Sequence, residues 1–294
     1  MGIMQHRDTL LLIDDAEILS HDAFPGEQYV LRLLAPGIAE RARPGSFVHL
    51  SCDPMLPMRR PLSIMRVQPK DGWIELLYRV FGYGTGLLAQ RRAGERLSVL
   101  GPIGQPFVAH TERRRPLLIG GGVGIPPMIF LAEVLRREKT PYNPLVLMGS
   151  EVPFPFTPKP SQIMCPGMPD GVIAAVPLLE DWGIASRLAS GAGFSGCFEG
   201  YVTDLARLWL ASLTDEARKE VEVFACGPHA MLEATARLAH EFDLPCQVSL
   251  EEFMACAVGG CAGCTVAVQT AEGPAMKRVC VDGPVFDATA VFPQ

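Results

Sequence analysis

Residues 116–137 read PLLIGGGVGIPPMIFLAEVLRR, and this stretch decides the fold of the middle of the chain. An apolar run ends in a cluster of glycines, and a segment with helical periodicity follows. A buried strand, a tight turn and a helix in this order are typical of a parallel sheet covered by helices. The apolar runs PLVLMGS (144–150) and VEVFACGP (221–228) predict two more strands of the same sheet, and AMLEATARLAHEFDL predicts a helix after the second.

The glycine turn predicts a nucleotide site. Backbone N–H groups at the start of the helix would hold a pyrophosphate, and the CGP turn should lie at the same edge of the sheet. The turn departs from the G-x-G-x-x-G pattern, since Pro127 stands at its third glycine position. A purely structural turn therefore stays open as an alternative. Six residues are predicted to contact the nucleotide: Gly121, Gly122, Gly124, Cys226, Gly227 and Pro228.

The residue after the second predicted strand bears on the choice of nucleotide. PLVLMGS is followed by Glu151, and the next arginine is Arg187. A carboxylate repels a 2′-phosphate and can accept a hydrogen bond from a 2′-hydroxyl. The sequence therefore favours NAD over NADP.

The first hundred residues predict a small antiparallel β-barrel, because short apolar runs alternate with Pro/Gly turns. These runs are YVLRLLA (29–35), SFVHLSC (46–52), LSIMRVQ (62–68) and WIELLYRVF (73–81). Beside them, Arg60-Pro61-Leu62-Ser63 offers an arginine and a hydroxyl, and Gly82-Tyr83-Gly84-Thr85 offers glycine N–H groups and a second hydroxyl. Such groups can hold the phosphates of a flavin, although short strings of this kind also occur by chance.

Four of the nine cysteines form a motif near the end of the chain: Cys256, Cys261, Cys264 and Cys280. The C-x4-C-x2-C spacing with a distant fourth cysteine is that of plant-type 2Fe–2S ferredoxins. Gly259, Gly260 and Gly263 are expected to allow positive φ, and Ala257 and Ala262 to permit close approach to the cluster. A four-cysteine zinc site and a disulfide pair are the alternatives, and the other five cysteines are expected to be ordinary thiols, with Cys226, which belongs to the CGP turn, as the one exception left open.

Composition excludes several classes of protein. The chain has 294 residues, 48% of them hydrophobic, and a formal net charge of -6, which argues against a nucleic-acid surface. No run of 18 or more apolar residues predicts a membrane helix. The N-terminal sequence MGIMQHRDTLLLIDDAEIL lacks the charged region, apolar region and small residues that follow one another in a signal peptide. We therefore expect a cytoplasmic location with reduced thiols.

Taken in order, the three modules resemble the ferredoxin–NADP reductase superfamily and, within it, the electron-transfer subunits of type B dihydroorotate dehydrogenases. The most specific part is SLEEFMACAVGGCAGCTVAV (249–268) with RVCVDGPVF (278–286). The resemblance implies a cluster on the four cysteines and places Glu180–Gly183 and Gly200–Asp204 near the nicotinamide. It also implies FAD contacts at nine residues: Arg60, Pro61, Leu62, Ser63, Leu77, Tyr78, Arg79, Gly84 and Thr85.

The implied fold is an FAD-binding antiparallel β-barrel domain (1–112), a parallel-sheet NAD-binding α/β domain (113–245) and a C-terminal 2Fe–2S module (246–294). NAD exchanges electrons in pairs and a two-iron cluster singly, so a flavin is expected between them. No catalytic acid or base is predicted, and His229 is interpreted as a helix-start residue.

The resemblance further implies an NAD-linked oxidoreductase subunit for pyrimidine biosynthesis. Electrons from dihydroorotate would leave an FMN-containing catalytic subunit and reach NAD+ through the cluster and FAD, in an assembly of two catalytic and two electron-transfer chains. Two alternatives remain. One is a small subunit of a bifurcating NADH/ferredoxin oxidoreductase or sulfide dehydrogenase, and the other is a non-catalytic NAD-responsive module with a structural zinc.

Overall fold

The structure is a computed structural model that describes residues 10–293. These residues form two compact units. The first holds the residues up to Pro106 together with Leu250–Val285, and the second holds Phe107–Ser249 together with the residues from Phe286 onward. The three-module boundaries at 112 and 245 stay an interpretation of the sequence. Residues 1–9 of the N-terminal stretch that lacks the signal-peptide pattern lie outside the described residues.

A closed antiparallel barrel of six strands forms most of the first unit and confirms the predicted barrel. Its order is β1–β2–β5–β4–β3–β6, and inward residues such as Leu31, Ile64 and Val99 are fully buried because side chains alternate across each strand. Two short helices, α1 (Pro36–Arg41) and α2 (Tyr83–Leu88), connect strands. The strands are β1 (Leu11–Phe24), β2 (Gln28–Leu34), β3 (Phe47–Leu50), β4 (Arg60–Gln68), β5 (Trp73–Arg79) and β6 (Arg96–Ile103).

The second unit is built on a six-stranded sheet in the order β11–β8–β7–β12–β13–β16, in which the first five strands are parallel. This arrangement confirms the α/β prediction. The strands are β7 (Arg115–Gly121), β8 (Leu145–Gly149), β11 (Ala185–Ala189), β12 (Val221–Cys226), β13 (Cys246–Ser249) and β16 (Val285–Asp287). The helices are α3 (Ile125–Arg137), α4 (Pro177–Asp181), α5 (Val202–Ser212), α6 (Asp215–Lys219), α7 (His229–Glu241) and α8 (Ala288–Val291).

Two short hairpins complete the fold. The proline-rich stretch after Glu151 is largely irregular, as predicted, and it adds only β9 (Lys159–Pro160), which pairs with β10 (Ala174–Ala175). The second hairpin, β14 (Thr265–Thr270) and β15 (Gly273–Arg278), lies within the cysteine-bearing segment. Within residues 10–293, no helix combines the length and the apolar character needed to span a membrane.

Candidate functional site

The hairpin β14–β15 explains why the fourth cysteine is so distant in sequence. Thr265 is opposite Arg278, and the Val279 N–H donates to the Cys264 carbonyl at 2.9 Å. The pairing therefore brings Cys280 back beside Cys264. The Arg278 guanidinium also donates to the Gly259 carbonyl at 3.3 Å, so one side chain joins the hairpin to the cysteine loop.

The cysteine loop directs backbone N–H groups at sulfur. N–H groups of Val258, Cys261 and Gly260 donate to the Cys256 sulfur, and that of Gly263 approaches the Cys261 sulfur at 3.4 Å. Such a concave array of N–H groups suits an anionic cluster.

The backbone of this loop corrects one expectation. Of the three glycines expected to use positive φ, only Gly259 does, at 77°. Ala257 and Ala262 adopt the left-handed conformation instead, at 56° and 54°. Each alanine directly follows a cysteine, where a left-handed residue redirects the next N–H toward the sulfur. A non-glycine residue accepts this strain of about 1–2 kcal/mol only where the surroundings hold it, and such residues concentrate at functional sites.

The four cysteines are arranged as two pairs. Cys256 hydrogen-bonds to Cys261, and Cys280 to Cys264, while Cys256 also acts electrostatically on Cys280. In the described part of the chain, no three Cys, His, Asp or Glu side chains converge as one metal ion would require. Two adjacent thiol pairs fit two irons with two thiolates each.

The pKa values of the two pairs differ in direction. Burial alone would raise the pKa of the Cys256 thiol, but the N–H groups and the Cys261 side chain lower it to about 7. Burial, together with the neighbouring Cys264, raises the pKa of Cys280. Metal binding requires thiolates, so the hydrogen-bonded Cys256 favours the form that an iron would bind.

Outside this quartet, four cysteines behave as ordinary thiols. Burial raises the pKa of Cys52 to about 11 and also raises the pKa values of Cys165, Cys197 and Cys246. None of the cysteines forms a disulfide within the described residues.

The barrel opens between β4 and β5 at the predicted flavin residues. Pairing of these two strands runs from Gln68–Trp73 to Ile64–Leu76 and, within the described chain, extends no further. Beyond that point Arg60–Ser63 pair with β3, and Leu77–Arg79 pair with β2. Both predicted stretches therefore present an unpaired backbone edge toward the same opening, where a ligand could bind backbone groups.

The two phosphate motifs of the barrel come together. A Cβ atom on Gly84 would lie 2.7 Å from the Nε and Nη2 atoms of Arg60, so the guanidinium rests directly on the glycine backbone. The Arg60 Nη1 donates to the carbonyls of Met58 and Arg59. This contact places a cation at the start of α2, as a pyrophosphate grip requires.

The side chains of two predicted flavin residues make hydrogen bonds that stabilise the fold. The Thr85 hydroxyl accepts from the Phe81 N–H at 2.8 Å and donates to the Gly82 carbonyl at 3.2 Å, which fixes the turn into α2. Tyr78 is only 2% exposed, stacks on Tyr29 at 5.4 Å, and its hydroxyl lies 2.8 Å from the His21 Nε2. Backbone groups of Tyr78, rather than its ring, are thus available at the opening.

The predicted nucleotide turns meet at one edge of the parallel sheet, as expected. Cys226 is in register with Gly120, and a Cβ atom on Gly124 would lie 2.2 Å from the Cys226 carbonyl oxygen. Gly227 packs on the carbonyl of Gly121. Only glycine permits so close an approach, and it leaves N–H groups at the start of α3 accessible to a pyrophosphate.

The structure also shows where three further residues of the predicted nucleotide region lie. Gly149 is in register with Gly121, so the exposed Glu151 follows the strand end beside the glycine turn. Glu180, from the segment predicted to lie near the nicotinamide, has a structural role. Its carboxylate accepts from the Ser161 hydroxyl at 3.0 Å and the Gln162 N–H at 2.6 Å, so it anchors the proline-rich excursion. His229 is the first residue of α7, as interpreted.

Comparison with known proteins bears on the cysteine segment first. Residues 251–292 match the family described as the iron–sulfur cluster binding domain of dihydroorotate dehydrogenase B. Among solved structures, one reported as an NADH-dependent reduced ferredoxin–NADP oxidoreductase, in work on flavin-based electron bifurcation, is similar with a TM-score of 0.73. It is 26% identical, and the match covers 95% of this chain and 90% of that one. A ferredoxin reductase of carbazole 1,9a-dioxygenase shares the fold, with a TM-score of 0.60 and 22% identity over 80% of this chain and 67% of that one.

Whole-length relatives agree with this match. A protein of Desulforamulus reducens is 32% identical over 94% of this chain and 97% of its own length, and one of Bacillus caldolyticus is 37% identical over 90% and 92%. Both are named dihydroorotate dehydrogenase B (NAD(+)), electron transfer subunit. By this similarity along nearly its full length, the chain belongs to the family of dihydroorotate dehydrogenase B electron transfer subunits.

Proposed function

We propose that the chain passes electrons from a dihydroorotate-oxidising partner subunit to NAD+ through a 2Fe–2S cluster and FAD. One observation carries the proposal: a single compact unit contains both the paired cysteines and the opening between β4 and β5 with the Arg60–Gly84 contact. The relatives named as electron transfer subunits match along nearly the whole chain, which supports the same conclusion.

The chain's own residues divide the work. Cys256 and Cys261 would hold one iron, and Cys264 and Cys280 the other, while backbone N–H groups stabilise the negative charge. Arg60 would bind the FAD phosphates, and the open strand edges would bind the flavin ring. Bound FAD would exchange electron pairs with NAD and single electrons with the cluster.

The second unit would bind NAD. The N–H groups of the glycine turn and the CGP turn would hold the pyrophosphate, and Glu151 would accept from a ribose hydroxyl. Hydride exchange requires no acid or base from the chain, and no residue is assigned that role.

The partner is proposed to be an FMN-containing catalytic subunit, in an assembly with two copies of each chain. Cys261 is the exposed member of the quartet, so the partner would approach the cluster from that side. A cytoplasmic location is proposed because iron is bound by thiolates, and a reducing compartment keeps cysteine thiols free to bind it.

The second candidate is the small subunit of a bifurcating NADH/ferredoxin oxidoreductase. The structural similarity to the NADH-dependent reduced ferredoxin–NADP oxidoreductase favours it. The two candidates differ in the chain that binds the subunit.

The deciding experiment is anaerobic purification of the native complex from its source. We expect two irons and two acid-labile sulfides per chain, FAD, and a co-purifying FMN protein that reduces NAD+ with dihydroorotate. A larger flavin and iron–sulfur partner would favour the second candidate. A colourless protein that contains zinc would refute both.

A further inference from the structure

His49 is a buried histidine of the first unit without a role in the proposed chemistry. It lies in the middle of β3 and is 1% exposed. Its Nε2 has no hydrogen-bond partner among residues 10–293, whereas the ring lies within hydrogen-bonding reach of the carbonyls of Met254 and Arg59. A buried polar side chain kept in this state calls for an explanation.

The position of His49 joins the two candidate redox sites of this unit. Its strand pairs with β4, where His49 is opposite Pro61 and Leu50 is opposite Arg60. Its ring reaches Met254, two residues before the first cluster cysteine, Cys256. One side chain thus connects the strand of the phosphate motif to the entrance of the cysteine loop.

The segment that His49 contacts has little else to hold it. The Leu250 N–H donates to the Pro284 carbonyl at 2.9 Å, but in the described chain no backbone–backbone hydrogen bond involves residues 251–255. Phe253 is 88% exposed, whereas Met254 is 8% exposed. Met254 is therefore the buried anchor of an otherwise exposed segment.

The charge state of the ring defines its hydrogen bond. Burial, then the charge of Arg59, lowers the pKa of His49 to about 4, so the ring is neutral at neutral pH. A neutral imidazole has one N–H donor, and both nearby partners are carbonyls, which only accept. Because Nε2 has no partner, we assign the donor to Nδ1.

We propose that His49 is a positioning residue: its Nδ1–H holds the Met254 carbonyl and thereby fixes the segment before Cys256 against β3, the strand that pairs with the Arg60-bearing strand β4. It would thus keep a constant separation between the cluster and the flavin. The inference rests on the proposed function for its purpose, but the tether itself is independent of that function.

Three substitutions separate a tether from mere core packing. His49→Asn keeps a donor near the position of Nδ1, His49→Gln moves it to the position of Nε2, and His49→Leu removes it. Val48→Ala is the matched control, because Val48 is a fully buried neighbour on the same strand whose side chain points to the opposite face.

The first measurement is amide hydrogen exchange of a peptide covering residues 255–264 in the holoprotein, because the N–H groups of Val258, Gly260 and Cys261 donate to the Cys256 sulfur and report whether the loop after Met254 is held. Losing one buried hydrogen bond should accelerate exchange about tenfold in His49→Leu and His49→Gln. His49→Asn and Val48→Ala should exchange as the wild type does. If His49→Leu does not fold, the difference between Asn and Gln decides, and equal exchange in these two variants would overturn the proposal.

The second measurement is rapid mixing with NADH, in variants with equal iron and FAD content. Reduction of FAD should keep its wild-type rate, while reduction of the cluster should slow in His49→Gln and be restored in His49→Asn. Equal cluster reduction in these two variants would refute the positioning role. A wild-type chain that holds no iron would refute the proposed function, and the exchange result would still decide whether His49 is a tether.

Discussion

Substitution of Gly84 by alanine should separate flavin binding from folding. Gly84 lies inside α2 without positive φ, so alanine suits its backbone and should stabilise the helix by up to about 1 kcal/mol. The new Cβ would lie 2.7 Å from the Arg60 Nε and Nη2, well inside van der Waals contact. A guanidinium at the end of a flexible side chain can move away, so the cost should appear in FAD binding.

The loss can be estimated from the displaced contact. A charged hydrogen bond contributes about 1.5–3 kcal/mol, so the Kd for FAD should rise about 10- to 150-fold. The assay is a fluorescence titration of the flavin-free protein with FAD, beside a thermal melt of the same sample. Gly86→Ala in the same helix is the matched control, because its Cβ would meet only the Val80 Cγ1 at 4.0 Å.

The result can refute the reasoning in two ways. Equal FAD affinity in the Gly84 and Gly86 variants would show that the position of Arg60 does not matter for binding. Arg60→Ala should weaken FAD binding to a similar degree, and adding Gly84→Ala to it should have little further effect, since both act on one contact. Full additivity would mean that Gly84 acts through something other than Arg60.

Three more predictions concern the cluster, the nucleotide turns and pH. Cys264→Ser should lower the iron content and abolish electron transfer to the partner, while NADH still reduces FAD. The control Cys197→Ser should change neither the iron content nor the transfer. If NADH-dependent dye reduction in Cys264→Ser fell as much as transfer to the partner, the proposed order of centres would be wrong. Gly124→Ala forces a Cβ against the Cys226 carbonyl oxygen and should cost about 3 kcal/mol of unfolding free energy, measured by urea denaturation; an unchanged midpoint would contradict the contact. Because the pKa of His49 falls from 6.5 to about 4 on folding, the unfolded chain binds the proton first, and stability should drop by about 3 kcal/mol between pH 6.5 and pH 4. His49→Asn should flatten this part of the pH profile, and an unaltered profile would assign the loss to other groups.

Features that are determined by residues close together in the sequence could be predicted from it. The glycine turn and the CGP turn are local signals, and parallel strands necessarily end at a common edge, so their meeting followed from topology. The cysteine spacing predicted a cluster because thiolate ligands must fit a metal group of fixed size.

Features that depend on distant partners could not be predicted. The strand β1 was missed because Asp14 and Asp15 interrupt its apolar run, and their partners, Ser98 and Arg96, lie on β6. No sequence pattern around Glu180 indicates that its carboxylate anchors the proline-rich excursion, because its partners lie about 18 residues earlier in the chain. The two left-handed alanines could not be predicted either. Positive φ is usually found at glycine, so the neighbouring glycines were the expected sites. The hydrogen bonds from the N–H groups to the cysteine sulfurs place it at the alanines instead.

The path of the cysteine segment explains how this fold can carry a cluster without disturbing the parallel sheet. The chain leaves the sheet after Ser249 and returns to it at Val285, and the Leu250 N–H donates to the Pro284 carbonyl where the two ends meet. An excursion whose ends are already joined leaves the register of the flanking strands unchanged. Gln105 holds the returning end, since its N–H donates to the Gly283 carbonyl at 2.6 Å and its side chain to the Val281 carbonyl. The returning end is thus held to the barrel by Gln105, so the geometry between the cysteines and the flavin residues is determined within one unit.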